Sequence, residues 1–192
     1  MADLYKNKYR IASTRLPGWD YGWNAAYFVT ICTKNRTHWF GRIVKTKDLN
    51  SQQMQLSEMG QIANRCWLEI PEHFPFVKLG NHVVMPNHVH GIIIIDKPDM
   101  DSVGAQNFAP LQNPYTITTP KNKFGPQSQN LASIVRGFKI GVTKNSRLIN
   151  QNFAWQSRYH DHIIRNQRSF DNISQYIIDN PLKWKEDRFY TL

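Results

Sequence analysis

Alternating and continuous apolar runs punctuate this chain, with stretches of helical periodicity between them. Ala26-Tyr27-Phe28-Val29-Thr30-Ile31-Cys32-Thr33 predicts a strand by its β-branched and aromatic content. Trp39-Phe40-Gly41-Arg42-Ile43-Val44 and Gln53-Met54-Gln55-Leu56 predict a shorter hairpin. Ser57 then caps a helix in which Met59, Ile62, Ala63, Cys66 and Ile70 recur at helical spacing until Pro71. Residues 76–84 predict a second long strand, Met85-Pro86-Asn87 a turn, and residues 88–95 a third strand. The near-continuous apolar character of that third strand suits a central position buried on both faces. A second helix spans 130–149, capped by Asn130, with Leu131, Ile134, Val135, Phe138 and Val142 on one face. Residues 153–165 predict a fourth strand. Ser169 caps a third helix whose core face is Phe170, Ile173 and Ile177. Strand, helix, strand, strand, helix, strand and a last helix make an α+β architecture. The expected form is a ferredoxin-like antiparallel sheet (βαββαβ) with helices on one or both faces and an appended C-terminal helix.

The 192 residues suit one domain with a sizeable core. Within it, residues 1–24 form a basic and aromatic N-terminal arm. Such interleaving suits single-stranded nucleic acid, or an arm packed on the domain. Residues 96–127 lose periodicity and predict a long loop insertion between core elements. Lys and Arg total 24 against 14 Asp and Glu, a net charge of +10, which points to a polyanionic partner. On the second helix, Arg136, Lys139, Lys144 and Arg147 lie opposite the apolar face with no acid among them. That charge separation favours phosphate contact, and Arg158 and Arg165 extend the set. Cys32 and Cys66 lack metal-like spacing and suit reduced thiols. The N-terminus has no apolar signal core and the apolar run 92–95 is too short to span a bilayer, so the expectation is a cytoplasmic protein with no membrane partner.

His88 and His90 are one residue apart in the third strand and project from one face, which makes half of a metal site. Two buried, hydrogen-bonded histidines would read the same way. Tyr176 and Asn180 stack on one face of the last helix, four residues apart. They read as a packing pair, or as a nucleophile and a third ligand. Pro181 biases Asn180 away from the helical region, so a cap is a competing reading. His160-Asp161-His162 is a second pair of the same kind. If its strand adjoined the first pair, four histidines would make a structural zinc site.

Together these residues resemble a known pattern. The motifs Val84-Met85-Pro86-Asn87-His88-Val89-His90-Gly91, Trp155-Gln156-Ser157-Arg158-Tyr159-His160-Asp161-His162 and Tyr176-Ile177-Ile178-Asp179-Asn180-Pro181 are similar to those of the REP-associated tyrosine transposases, within the HUH single-strand endonuclease and transposase superfamily. Arg15 to Tyr21 and Tyr27 to Thr30 also look like that family's start. The resemblance implies that His88, His90 and Asn180 hold Mg²⁺ or Mn²⁺, and that Asp161 or His162 supports the active site from behind. It implies that Tyr176 attacks single-stranded DNA beside a REP-like palindromic hairpin, leaving a 5′-phosphotyrosine, in either a monomer or a homodimer. The alternative is a non-catalytic module that binds DNA or RNA hairpins.

Overall fold

A computed structural model describes residues 15–46, 51–98 and 128–191. Most of the predicted insertion (99–127) and of the N-terminal arm (1–14) lie outside the described residues. Strands β1 (Ala25–Cys32), β4 (Val77–Met85), β5 (His88–Ile95) and β6 (His160–Ile164) form one sheet in the order β4-β5-β1-β6. Every neighbouring pair is antiparallel. A separate hairpin joins β2 (Gly41–Lys45) to β3 (Gln52–Leu56). Helix α1 (Glu58–Leu68) precedes the short α2 (Ile70–His73), α3 (Leu131–Ile149) lies between β5 and β6, and α4 (Gln167–Asp179) follows β6. Setting aside the hairpin and α2, the order is the expected βαββαβ plus a final helix.

Helices α1 and α3 pack on one face of the sheet over Tyr27, Val29, Ile31, Val89 and Ile93. Trp67 of α1 is fully buried there, edge-on to Phe138 of α3 at 5.4 Å and stacked on His82 of β4 at 5.7 Å. Helix α4 covers the opposite face, where Ile177, Ile173 and Phe170 pack on Ile92, Ile94 and Val83. It lies against β4 and β5. Strand β5 is thus buried from both sides, as its apolar run predicts.

Three local expectations change. Only residues 160–164 of the expected fourth strand are a strand. Residues 153–159 instead run beside α3, with only an isolated bridge between Thr33 and Trp155 as sheet pairing and with side chains of α3 bonding their backbone. Trp155 packs among Phe40, Phe138 and Phe153, as a core residue. The cap of α4 is Asn166, whose side chain accepts from the Ser169 N–H. Both residue types suit a helix start, and the choice falls to the one with extended backbone, φ −157° and ψ 167°. Helix α1 ends at Leu68, and Pro71 sits in the first turn of α2. Among the described residues no helix is long and apolar enough to cross a membrane.

Candidate metal centre and tyrosine

Strand pleat and register build the site. His88, His90, Ile92 and Ile94 alternate onto the α4 face of β5, and β1 sets Thr30 directly opposite His90. Both imidazoles are buried, with ring centroids 4.3 Å apart. The buried Asn87 places its Oδ1 2.8 Å from His88 Nδ1. An amide oxygen only accepts, so Nδ1 carries the proton and Nε2 is left as a bare lone pair. That Nε2 has no hydrogen-bond partner among the described residues. His90 Nδ1 lies 2.8 Å from the Thr30 hydroxyl, which leaves Nε2 aimed at α4.

Helix α4 delivers Tyr176 and Asn180 to this spot. Its apolar stripe fixes its rotation on the sheet, and the flank of the stripe then meets β5. The Tyr176 hydroxyl is 3.3 Å from His90 Nε2. Asn180 keeps helical backbone angles, φ −56° and ψ −41°, despite the following proline. Its side chain is buried and its Oδ1 has no hydrogen-bond partner among the described residues. Tyr176, by contrast, is 43% exposed, so the hydroxyl sits where the buried pocket opens to solvent.

A segment that the sequence did not single out closes the site. Beyond α4, the 3-10 turn Trp184–Glu186 brings Asp187 back over the histidines. Asp187 Oδ2 accepts from Tyr176 Oη at 3.2 Å and from Asn180 Nδ2 at 3.0 Å, and lies 3.8 Å from His90 Nε2. Phe189 packs its ring 4.9 Å from His88 and 5.8 Å from His90, and its carbonyl accepts from Asn87 Nδ2. His88, His90 and Asp187 offer ligand atoms within 4.8 Å of one another, a cluster that could hold a metal ion.

The electrostatics agree with that use. Burial pushes both histidines below the usual imidazole range, and for His88 the neighbouring His90 adds to the effect. Both are therefore neutral ligands near pH 7. Burial pushes the Asp187 carboxyl up, but the neighbouring His90 and hydrogen bonds from the Phe189 N–H and Asn180 outweigh it and hold the group well below the usual carboxylate range. Tyr176 is pushed up to about 12 by burial and then by the charge of Asp187. Two orphaned acceptors in one pocket, His88 Nε2 and Asn180 Oδ1, each cost on the order of 1–3 kcal/mol when left unpaired. A cation between them would offset both costs, so the donor set fits a divalent ion.

Other predicted residues go elsewhere. β1 lies between β5 and β6, so His160 and His162 are not neighbours of His88 and His90, and a four-histidine zinc site is ruled out. His162 shares the site face but is exposed one strand beyond β1. Asp161 points to the opposite face of the sheet, where Tyr21 and Arg15 act on it, so it does not support the histidine pair. Arg136, Lys139, Lys144 and Arg147 line an open groove of about 580 Å³ with Ser157 and Tyr159, on the far side of the sheet from the histidines and along its β6 edge. Lys139 is a brace and not a free cation. Its Nζ donates to the carbonyls of Gln156 at 2.7 Å and Arg158 at 3.2 Å, and burial pushes its pKa down to about 8. Arg147 Nε likewise donates to the Phe153 carbonyl. Arg158 and Arg165 are exposed before and after β6.

No family model matches the chain. A Haemophilus influenzae protein of uncharacterised function is 40% identical over 179 residues, covering 93% of this chain and 92% of its own. A second Haemophilus influenzae protein, assigned to the REP-associated tyrosine transposases, is 28% identical over 112 residues, which is 58% of this chain and 53% of the relative. Among solved structures, a REP-associated tyrosine transposase bound to a REP hairpin superposes with a TM-score of 0.56 at 18% identity, covering 91% of this chain and 74% of that one.

Proposed function

We propose that this chain is a member of the REP-associated tyrosine transposases and acts as a metal-dependent single-stranded DNA transesterase of the HUH type, cutting and rejoining DNA beside short palindromic hairpins. The observation that carries the reading is the half-exposed Tyr176 hydroxyl, 3.3 Å from a buried His90 whose partner His88 holds an unpaired Nε2.

Tyr176 is the nucleophile. Its phenolic oxygen bonds to phosphorus while the bond to the 3′ oxygen breaks, giving a 5′-phosphotyrosine and a free 3′-hydroxyl. Asp187 Oδ2 orients the phenol through its hydrogen bond, the phenol proton leaves to solvent at the mouth of the pocket, and the departing 3′ oxygen takes up a proton from solvent. The covalent link conserves the phosphodiester, so rejoining needs no nucleotide cofactor. His88, His90 and Asn180, with Asp187 added to the set, would hold the ion. Mg²⁺ or Mn²⁺ there would polarise a non-bridging phosphate oxygen and orient the phosphate for in-line attack. Asn87 and Thr30 hold the two imidazoles in place. Arg136, Lys144, Arg147, Arg158 and Arg165 contact DNA phosphates, with the hairpin stem along the α3 groove.

The test is incubation with hairpin-bearing single-stranded DNA and Mn²⁺, followed by a denaturing gel. Wild type forms a covalent protein–DNA adduct and Tyr176→Phe forms none. Equal adduct from Tyr176→Phe would overturn the nucleophile. Tight hairpin binding without an adduct under any divalent metal would favour the non-catalytic binding module.

A further inference from the structure

The second histidine pair is left without a role in the metal centre, yet it occupies a distinctive surface. Strand β6 sets His162 opposite Phe28 and His160 opposite Thr30. All four therefore share the face of the sheet that carries His90. Helix α4 covers β4 and β5 on this face, while His160 and His162 are exposed on the edge strand and Phe28 is half-buried between them and the site. The Phe28 ring lies 5.3 Å from His90, tilted by 29°, and meets Tyr176 edge-on at 6.0 Å. The His160 ring is 6.3 Å from Phe189, which roofs the metal cluster. A row of flat rings thus leads from the sheet edge to the Tyr176 hydroxyl, across two strand spacings or about 10 Å.

Apart from Asp187 at the metal cluster, the charges that border this surface are positive. The side chains on this face are Ala26, Phe28, Thr30 and Cys32 of β1 and His160, His162 and Ile164 of β6, with no carboxylate among them. The one acid of β6, Asp161, turns to the other face. Arg188 stands at one end, 4.5 Å over the Phe189 ring, and the exposed Arg165 and Arg168 stand where β6 gives way to α4. Flat rings between cations match unpaired nucleic acid, because bases stack on rings while phosphates follow positive charge.

We propose that the open half of this sheet face, with Phe28, His160 and His162, is the bed on which the unpaired DNA strand lies as it approaches Tyr176, the histidine rings stacking on its bases. The stem in the α3 groove and the strand on this bed then lie on opposite sides of the β6 edge, and the DNA crosses that edge. This assignment rests on the reading of the chain as a single-strand DNA transesterase.

The experiment is fluorescence anisotropy in the presence of a chelator, so that binding is read without cleavage. Two DNAs are compared: a hairpin alone, and the same hairpin with an unpaired extension of about six nucleotides, within the range such surfaces hold. Wild type gains affinity from the extension by about tenfold or more, the size of one or two stacked bases. In His160→Ala/His162→Ala most of that gain is lost, while the hairpin alone binds as before. In His160→Phe/His162→Phe the gain is kept, because the rings are kept. A full gain in the alanine variant, or a lost gain in the phenylalanine variant, overturns the assignment. Failure of the Tyr176 chemistry is read separately, by the absence of adduct in wild type.

Discussion

Gly91 follows the histidine pair directly, and replacing it with alanine tests how tightly the site strand is held from behind. Pleat turns Gly91 away from the histidines and toward α1. A Cβ at this position would fall 2.2, 2.7 and 2.9 Å from three atoms of the Trp67 indole. Ordinary contact begins near 3.4 Å, so the ring or the strand must retreat by about 1.2 Å. Neither can do so freely. Trp67 is fully buried between Phe138 and His82, and β5 is hydrogen-bonded on both edges by β1 and β4. The cost belongs at the upper end of overpacking, about 3 kcal/mol. For a chain of this size that lowers Tm by roughly 6–12 °C. The assay is thermal unfolding by circular dichroism, with urea denaturation as a second measure. Trp67→Leu alone is destabilising through the cavity it leaves, but it opens room for the new methyl. Gly91→Ala/Trp67→Leu should therefore lose clearly less than the sum of the two single losses. If Gly91→Ala melts within about a degree of wild type, or the pair is simply additive, the close approach of indole to strand is wrong.

Other consequences follow from the same geometry. Burial holds His88, His90 and His82 below the pKa near 6.5 of an unfolded imidazole, so between the two values the unfolded chain binds more protons. Their contribution to metal-free stability is whole above about pH 6.5 and is lost as pH falls below it. Asp187 is also held low, and its contribution is present above about pH 4 and lost on further acidification through its folded value. Tm of the metal-free protein should decline from about pH 7 to pH 5, and a flat profile would refute the neutral buried pair. Lys139→Met removes a brace on two backbone carbonyls and should lower stability by about 1–3 kcal/mol while leaving the salt dependence of hairpin binding intact. Lys144→Ala should do the reverse, lowering the slope of log affinity against log salt by about 1, and binding titrations at several salt concentrations separate the two. Chelation should abolish adduct formation without unfolding the domain, since neither hydrophobic cluster includes His88, His90, Asn180 or Asp187. Loss of the native circular dichroism spectrum on chelation would mean a structural metal instead.

Periodicity alone placed the central elements. Two histidines one residue apart in an apolar strand share a face because the pleat repeats every two residues. Tyr176 and Asn180 share a helix flank because the helix repeats every 3.6. The alternation of strands and helices then led to the four-stranded antiparallel sheet. Tertiary structure decided everything that depends on which distant segments meet. Asp187 lies seven residues beyond Asn180 in an irregular tail with no period to betray it. Its place over the histidines is set by Trp184 and Phe189 packing beside them. The same holds for the second histidine pair, which repeats the His-x-His spacing of the first. Only the insertion of β1 between β5 and β6 separates the two pairs and leaves one buried at the metal cluster and the other exposed at the edge. Lys139 belongs to this group as well. Its helical position predicts a free cation, yet a lysine stem long enough to reach the passing 156–158 backbone finds carbonyls there and satisfies them. Local repeats say which side chains stand side by side on one element. Strand order and chain return decide what stands opposite them, and that closure sets which histidines face the tyrosine.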